Sequence, residues 1–337
     1  MRTTAFKMAS ASVGLALTLV LVELGYRGYL WAFSPILTYQ PGGQHLNPNG
    51  KGNYRGGHTT LDKFGLRTVL DQEVKNRKTL ILVIGDSVTF GIGVNDNDTF
   101  VHLLNERYAS RDVGFINLGF PGLDTGMLRS IFVGREDDYR PYIGVLWVYY
   151  INDARTNDDY LPVQQNYDMA LYSNDRFASA ENAVWRYLKS PALIKHLVIS
   201  IVARFKKSNK TPGNDVTWQQ YYEQSMLSFH PYAINRQIEA TYLKEIMGWM
   251  DDRGVKLWFM LAPALDQLTD NRADPQDFIR FVVDSKRYPI LDLLPEFQQL
   301  VSPETFYQFN DHSHWNRKGH AFVAGEIARF LGESGNR

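Results

Sequence analysis

Five short apolar runs mark the chain, and each is followed by a turn or by a segment of helical periodicity. The runs lie at residues 79–85, 114–119, 144–150, 255–261 and 289–294. A continuous apolar run bounded by glycine is typical of a strand that is buried on both faces of a parallel sheet. Strands that alternate with helices form right-handed βαβ units, so the pattern predicts a three-layer α/β/α sandwich around a five-stranded parallel sheet.

Helical patterns separate these runs. Two short ones lie at residues 99–108 and 125–137. A longer stretch at about 155–250 holds two further helical patterns, joined by the breaker SNKTPGND, and it has no convincing strand signal. We interpret this stretch as a helical insertion that caps the sheet within one domain at residues 79–337.

The N-terminal part of the chain has a different pattern. Arg2 and Lys7 precede an apolar run at residues 8–22, and aromatic residues typical of the membrane–water interface follow it. We predict a transmembrane or signal-anchor helix within residues 1–35, with the remainder of the chain on the extracytoplasmic side, periplasmic or external. A cleaved signal peptide and a buried soluble helix are the alternatives, although no A-x-A cleavage site follows the run. The Gly-, Asn- and His-rich sequence after it predicts an irregular stalk and lead-in loop at residues 36–78.

The amino-acid composition excludes several kinds of binding and catalysis. The 337 residues include 36 basic and 36 acidic side chains, so the chain lacks the basic excess of a general nucleic-acid binder. The absence of cysteine excludes disulfides, thiolate metal sites and a cysteine nucleophile. Three histidines lie near one aspartate close to the C-terminus, but their spacing matches no common zinc pattern, so we predict no metal site.

A candidate nucleophile follows the first strand run. Ser87 lies in the sequence Gly85-Asp86-Ser87, at the strand end where open parallel sheets bind their ligands. A serine on the turn into a helix has an exposed hydroxyl, and the helix N-terminus favours a developing oxyanion. The same residues, taken alone, are also common helix caps.

Three further positions could complete a site with Ser87. Gly122 lies in the turn after the second run, where a glycine N–H can approach a substrate closely. Asn152 follows the third run, where its amide could donate to an oxyanion or form an ordinary Asx-turn. Asp311 precedes His314 by three residues, so the carboxylate can orient an imidazole that takes a proton from a serine. These positions predict a site only if the folded chain brings them together.

Taken in order, these blocks resemble those of the SGNH (GDSL) hydrolases, and the lead-in at residues 62–67 resembles that of their membrane-anchored members. The blocks are GDSxxxG at 85–91, Asn-x4-Gly at 117–122, Asn-Asp at 152–153 and Asp-x-x-His at 311–314. The resemblance extends from residue 79 to about 331 and leaves out the insertion. It implies a flavodoxin-like SGNH fold.

The resemblance also implies roles for individual residues. Ser87 would be the nucleophile, His314 the general base and then acid, and Asp311 its orienting carboxylate. The oxyanion hole would consist of the N–H groups of Ser87 and Gly122 and the side chain of Asn152. His320 matches a trailing histidine of the family, for which we expect a supporting role. One departure is Tyr150, two residues before Asn152, at a position where the family usually has glycine; a tyrosine there could narrow the acyl pocket or shift Asn152.

The implied activity is that of a serine esterase that forms an acyl-enzyme and requires no metal or organic cofactor. We expect its substrate to be a small-molecule or glycan ester, with an acetyl or short acyl group on envelope carbohydrate or lipid. Two alternatives stay open. One is a glycan O-acyltransferase that uses the same triad, and the other is a catalytically inactive, membrane-tethered binding protein.

Overall fold

The computed structural model describes most of the chain outside the N-terminal segment and the insertion. The described residues are 36–40, 43–62, 65–67, 74, 76–133, 144–151, 153–154, 234–270 and 273–334, with some residues between 14 and 28. Most of the predicted insertion, including residues 155–233, lies outside this part of the chain, and so does Asn152.

A five-stranded sheet forms the centre of the molecule. Its strands are β5 (Thr79–Gly85), β6 (Val113–Gly119), β7 (Gly144–Tyr149), β8 (Lys256–Leu261) and β9 (Ile290–Asp292). They are parallel throughout and lie in the order β6-β5-β7-β8-β9. The predicted five-stranded parallel sheet is therefore confirmed. The strand order has the flavodoxin-like pattern, in which the chain changes direction across the sheet between β5 and β7.

The described helices are short except for two. They are α1 (Ser87–Phe90), α2 (Phe100–Arg107), α3 (Thr125–Phe132), α4 (Ile234–Asp252), α5 (Leu265–Asp270), α6 (Gln276–Val282), α7 (Leu294–Gln298) and α8 (Arg317–Ser334). The connection from β5 to β6 and the connection from β6 to β7 run in opposite directions across the sheet. Because such connections are right-handed, α2 and α3 lie on opposite faces of the sheet. Helix α8 packs with α2, and α4 packs with α3. The result is the three-layer arrangement that the sequence predicts.

Burial on both faces explains why the strands read as continuous apolar runs. Every residue of β7 is buried, and Leu82, Val83 and Ile84 of β5 have no exposed surface. The helix layers supply the covering side chains, as in the contact between Phe132 of α3 and Trp249 of α4, whose ring centroids are 5.2 Å apart. A side chain on either face of the sheet must therefore be apolar or have a polar partner.

The lead-in segment is ordered as two β-hairpins, so the expectation of an irregular stalk at residues 36–78 is wrong for this part. The strands are β1 (Leu37–Gln40), β2 (Gly43–Leu46), β3 (Lys51–Tyr54) and β4 (Gly57–Thr60). The β3–β4 hairpin packs on the loop before α2. There the N–H of His58 donates to Asn95 Oδ1 at 3.0 Å, and that of Thr60 donates to Asp96 Oδ1 at 3.1 Å. Glycine and asparagine at the turns account for the sequence bias that indicated a loop.

Arg67 fastens the end of this lead-in segment to the sheet domain. Its side chain is 2% exposed, and Nε donates to Asp96 Oδ1 at 3.0 Å. Its other nitrogens donate to the main-chain carbonyls of Phe90, Gly91 and Val94. The carbonyls belong to the loop that leaves helix α1, so the lead-in segment supports the strand-to-helix connection that contains Ser87.

The N-terminal residues that the structure describes are helical wherever they fall between residues 14 and 28. Within the described part of the chain, none of the helices combines the length and the hydropathy that crossing a bilayer requires.

Candidate active site

Ser87 is the first residue of α1, directly beyond the carboxyl end of β5. Between them, Asp86 is completely buried and its Oδ1 accepts the Val88 N–H at 2.8 Å, which caps the helix. Gly85 has φ of +154°, and a Cβ there would lie 2.3 Å from Thr89 Oγ1 and 2.7 Å from the carbonyl oxygen of Val148. Only glycine fits, because the turn passes this close to the neighbouring strand. The Ser87 side chain is therefore held at the point where the strand order reverses.

The structure brings Ser87, His314 and Asp311 together. Ser87 Oγ lies 2.9 Å from His314 Nε2, and His314 Nδ1 lies 2.7 Å from Asp311 Oδ2. Since a carboxylate can only accept, the proton of the neutral imidazole is on Nδ1, and Nε2 is free to accept the serine proton. The three groups form a hydrogen-bonded chain with the geometry that transfers a proton away from a serine hydroxyl.

Asp311 is held in its ionised form. Burial alone would raise its pKa, but hydrogen bonds and charge from the His314 side chain outweigh that effect, so the pKa of Asp311 is lowered. The N–H groups of Ser313 and His314 add to the lowering by donating to Asp311 Oδ1 at 2.9 and 3.0 Å. An ionised Asp311 stabilises the imidazolium that would form when His314 takes a proton.

Contacts on both sides hold the loop that contains His314 in place. The Gln308 N–H donates to the His314 carbonyl at 2.9 Å, and Gln308 Nε2 donates to the Ile92 carbonyl beyond helix α1. On the other side, Trp315 is 1% exposed and stacks on Phe297 with ring centroids 5.9 Å apart. His314 itself is only 7% exposed. These contacts fix the imidazole relative to Ser87 without help from a ligand.

Gly122 lies in a tight turn beside this site. Phe120 and Leu123 close the turn through a 2.9 Å backbone hydrogen bond, Pro121 is its second residue, and Gly122 has φ of +84°. This is a type II turn, which requires glycine at its third position. The N–H of Phe120 donates to the Gly85 carbonyl at 3.0 Å, which ties the turn to the residue two before Ser87. A Cβ on Gly122 would meet no atom within 4 Å among the described residues, so space beside it is open.

Asn117 is a supporting residue whose role the sequence pattern does not predict, although it lies in the Asn-x4-Gly block. Its Nδ2 donates to the Thr89 carbonyl at 3.1 Å, and its Oδ1 accepts the Gly119 N–H at 2.8 Å. Asn117 thus joins the end of β6 to helix α1. It positions the two loops that contain Ser87 and Gly122.

The third predicted oxyanion donor, Asn152, lies outside the described residues. Its neighbours form a turn in which Asp153 Oδ2 accepts the Tyr150 N–H at 2.9 Å and the Asp153 N–H donates to the Tyr150 carbonyl at 3.0 Å. Tyr150, the departure from the family pattern, is 2% exposed. Asn152 therefore remains a prediction.

His320 lies behind the triad on helix α8. Its Nδ1 accepts the Phe100 N–H at 3.2 Å, and its ring stacks on Phe100 with centroids 5.7 Å apart. Burial first, and then the electrostatic influence of Arg67 and His314, lowers the pKa of His320 to about 3. A neutral histidine that accepts a backbone hydrogen bond and stacks on Phe100 packs helix α8 against the start of α2.

The remaining histidine of the loop pairs with a carboxylate. His312 Nδ1 lies 3.0 Å from Asp266 Oδ1. In the part of the chain that the structure describes, no three His, Asp or Glu side chains are grouped so that they could hold a metal ion.

Comparisons with known proteins give distant structural similarity. No protein-family model and no curated sequence matches this chain. Among solved structures, a lipase/acylhydrolase from Enterococcus faecalis is similar at 16% identity and a TM-score of 0.36, over 75% of this chain and 94% of that one. The esterase EstA from Pseudoalteromonas sp. is similar at 12% identity and a TM-score of 0.40, over 77% of this chain and all of that one. With TM-scores this low, the function has to be inferred from the site itself.

Proposed function

We propose that this chain is a serine esterase of the SGNH type. The observation that carries the proposal is the hydrogen-bonded chain from Ser87 Oγ through His314 to Asp311, with distances of 2.9 and 2.7 Å. The hydrogen bond from the Phe120 N–H to the Gly85 carbonyl adds support, because it ties the Gly122 turn to the strand end that precedes Ser87. An intact proton-transfer chain also argues against an inactive binding protein built on the same fold, since such a protein has no use for it.

The chemistry is acyl transfer in two steps. His314 Nε2 takes the hydroxyl proton as Ser87 Oγ attacks the ester carbonyl carbon, and the N–H groups of Ser87 and Gly122 and the Asn152 amide stabilise the oxyanion. The imidazolium then protonates the leaving alcohol, which departs as the acyl-enzyme forms. Water, deprotonated by His314, attacks the acyl group and restores the serine. Each oxyanion donor of this kind contributes on the order of 10²–10³ in turnover.

We further propose that the N-terminal segment tethers the chain to a membrane and that the enzyme acts outside the cytoplasm on acetyl or short acyl esters of envelope carbohydrate or lipid. Arg2 and Lys7 before the apolar run at 8–22 support this orientation. The described helical residues of the segment add support, because Leu17, Leu21 and Leu24 are each more than half exposed. Exposed apolar side chains in such number are stable only against lipid or another apolar partner.

The test is hydrolysis of p-nitrophenyl acetate by the purified full chain and by Ser87→Ala. We expect turnover that falls on the order of 10³-fold or more in the variant, since the covalent route requires the serine. Ser130→Ala is the matched control, because Ser130 Oγ donates to the Gly126 carbonyl within helix α3 and lies outside the triad. Equal turnover in Ser87→Ala and the native chain would refute the proposal. Addition of a sugar acceptor separates the two catalytic outcomes, because an O-acyltransferase would then form acylated sugar in place of free acid.

A further inference from the structure

A buried carboxyl group lies beneath the site, where three elements meet. Glu239 is on helix α4, has no exposed surface, and packs between α3 and the end of β7. Its Oε1 accepts hydrogen bonds from Thr125 Oγ1 at 2.5 Å and from the Tyr149 hydroxyl at 2.8 Å. Its Oε2 is buried and has no hydrogen-bond partner among the described residues. One side chain of the insertion thus holds together the start of α3 and the last residue of β7.

The surroundings of Glu239 are acidic. Asp124, the N-cap of α3, is 1% exposed, and Asp153 is 2% exposed. Burial raises the pKa of Glu239 to about 8; the hydrogen bonds from Thr125 and Tyr149 oppose the rise, and the charge of Asp124 adds to it. Burial likewise raises the pKa of Asp153 well above its ordinary value, and burial and nearby carboxylates raise that of Tyr149. Glu239 is therefore mostly a neutral carboxylic acid near pH 7, and its ionisation would place another negative charge in this group.

The residues that Glu239 holds belong to the two segments next to Ser87. Thr125 begins α3 three residues after Gly122, and its N–H donates to the Asp153 carbonyl at 3.0 Å. Asp153 in turn closes the turn that follows β7 through its bond from the Tyr150 N–H at 2.9 Å. The Gly122 turn and the turn at residues 150–153 are thus linked to each other, and Glu239 contacts both sides of the link.

We propose that Glu239 is a positioning residue of the active site: in its protonated form it fixes the Gly122 turn and the turn at residues 150–153 relative to Ser87, and so couples helix α4 of the insertion to catalysis. This inference rests on the proposed serine esterase function. Ionisation of Glu239 places a negative charge near Asp124, the N-cap of α3, so the start of α3 and the Gly122 turn before it shift and the oxyanion donors lose their alignment. The esterase should therefore lose turnover as the pH rises through the pKa of Glu239, which is about 8.

The test compares kcat and KM for p-nitrophenyl acetate between pH 6 and pH 10 in the full chain, in Glu239→Gln and in Glu239→Leu. The amide of Gln keeps an oxygen that accepts from Thr125 and Tyr149 but cannot ionise, whereas Leu leaves both hydroxyls unsatisfied. Glu245→Gln is the control, because Glu245 pairs with Arg129 between the same two helices and has partial exposure. Background hydrolysis is measured with Ser87→Ala at each pH.

We expect kcat of the native chain to fall roughly tenfold from pH 7 to pH 9, because about nine-tenths of a group with a pKa near 8 is ionised at pH 9. The kcat of Glu239→Gln should not fall over this pH range, whereas the kcat of Glu245→Gln should fall as in the native chain. Glu239→Leu should lower kcat by about 10- to 100-fold at every pH with a much smaller change in KM, as misplacement of catalytic groups does.

The outcomes separate the two proposals. A decline that persists unchanged in Glu239→Gln would overturn the positioning role while leaving the esterase proposal intact. A Glu239→Leu variant that folds and keeps the native kcat would also overturn the positioning role. If Glu239→Leu does not fold, as judged by circular dichroism, the pH profile of Glu239→Gln decides alone. Hydrolysis that does not depend on Ser87 would refute the esterase proposal itself, whatever the Glu239 variants do.

Discussion

His320 makes the folded chain sensitive to acid, and the effect can be calculated. Its pKa is about 3 in the fold and 6.5 when unperturbed, because burial first, and then the electrostatic influence of Arg67 and His314, disfavours the protonated ring. A histidine whose pKa is lowered by folding contributes stability that is fully present above pH 6.5 and is lost as the pH falls toward 3. At about 1.4 kcal/mol per pH unit, the loss is roughly 2 kcal/mol at pH 5 and about 4 kcal/mol at pH 3.

His320→Asn is the variant that isolates this effect. The Asn side chain offers an oxygen in place of Nδ1 and can still accept the Phe100 N–H, but it carries no titratable group. It gives up the ring contacts with Phe100 and Trp315, so we expect it to be less stable than the native chain by about 1–3 kcal/mol at pH 7. The contribution of the lost ring contacts does not depend on pH, so a change with pH in the difference between the two proteins reports the titration of His320.

The assay is urea unfolding followed by tryptophan fluorescence at pH 7, 6 and 5. The gap in unfolding free energy between the native chain and His320→Asn should shrink by about 2 kcal/mol between pH 7 and pH 5. Other titrating groups, Asp311 among them, are present in both proteins and cancel in the difference. A gap that stays constant over this range would show that His320 is not held neutral by its surroundings.

Two further predictions concern the lead-in and N-terminal segments. Arg67→Met should lower the unfolding free energy by about 3–5 kcal/mol, because Asp96 loses its guanidinium partner and the carbonyls of Phe90 and Gly91 lose the donor that Arg67 supplies. Urea unfolding measures this, and a loss below about 1 kcal/mol would contradict the support assigned to Arg67. Removal of residues 1–35 should move the expressed chain from the membrane fraction to the soluble fraction on centrifugation, and a truncated chain that stays with the membrane would contradict the proposed tether.

The central sheet could be predicted from the sequence because its strands are buried on both faces. Such strands have no polar alternation, so β5 and β7 appear as uninterrupted apolar runs, and their carboxyl ends mark where Ser87 and Asn152 follow. The proximity of Ser87 to residues 311–314 was implied by the resemblance of the four sequence blocks to those of the SGNH hydrolases, not by the strand pattern itself. In the structure, Ser87 Oγ lies 2.9 Å from His314 Nε2.

Other features depend on contacts that a linear pattern does not encode. The four-residue strands of the β3–β4 hairpin are too short for a periodic signal, and their Gly and Asn content is equally typical of loops. Glu239 lies 114 residues from Thr125 and 90 from Tyr149, so nothing local distinguishes it from a solvated glutamate of helix α4. Arg67 is similar, since its carbonyl partners become visible only when the loop beyond α1 is folded.

The most direct test of the proposed mechanism is covalent labelling with a serine-directed fluorophosphonate, followed by peptide mapping in a mass spectrometer. The Ser87–His314–Asp311 chain predicts a single adduct, on the peptide that contains Ser87, that is retained in Ser130→Ala and lost in Ser87→Ala. An adduct of equal yield in Ser87→Ala, or one located on another residue of the native chain, would contradict the assignment of Ser87 as the nucleophile.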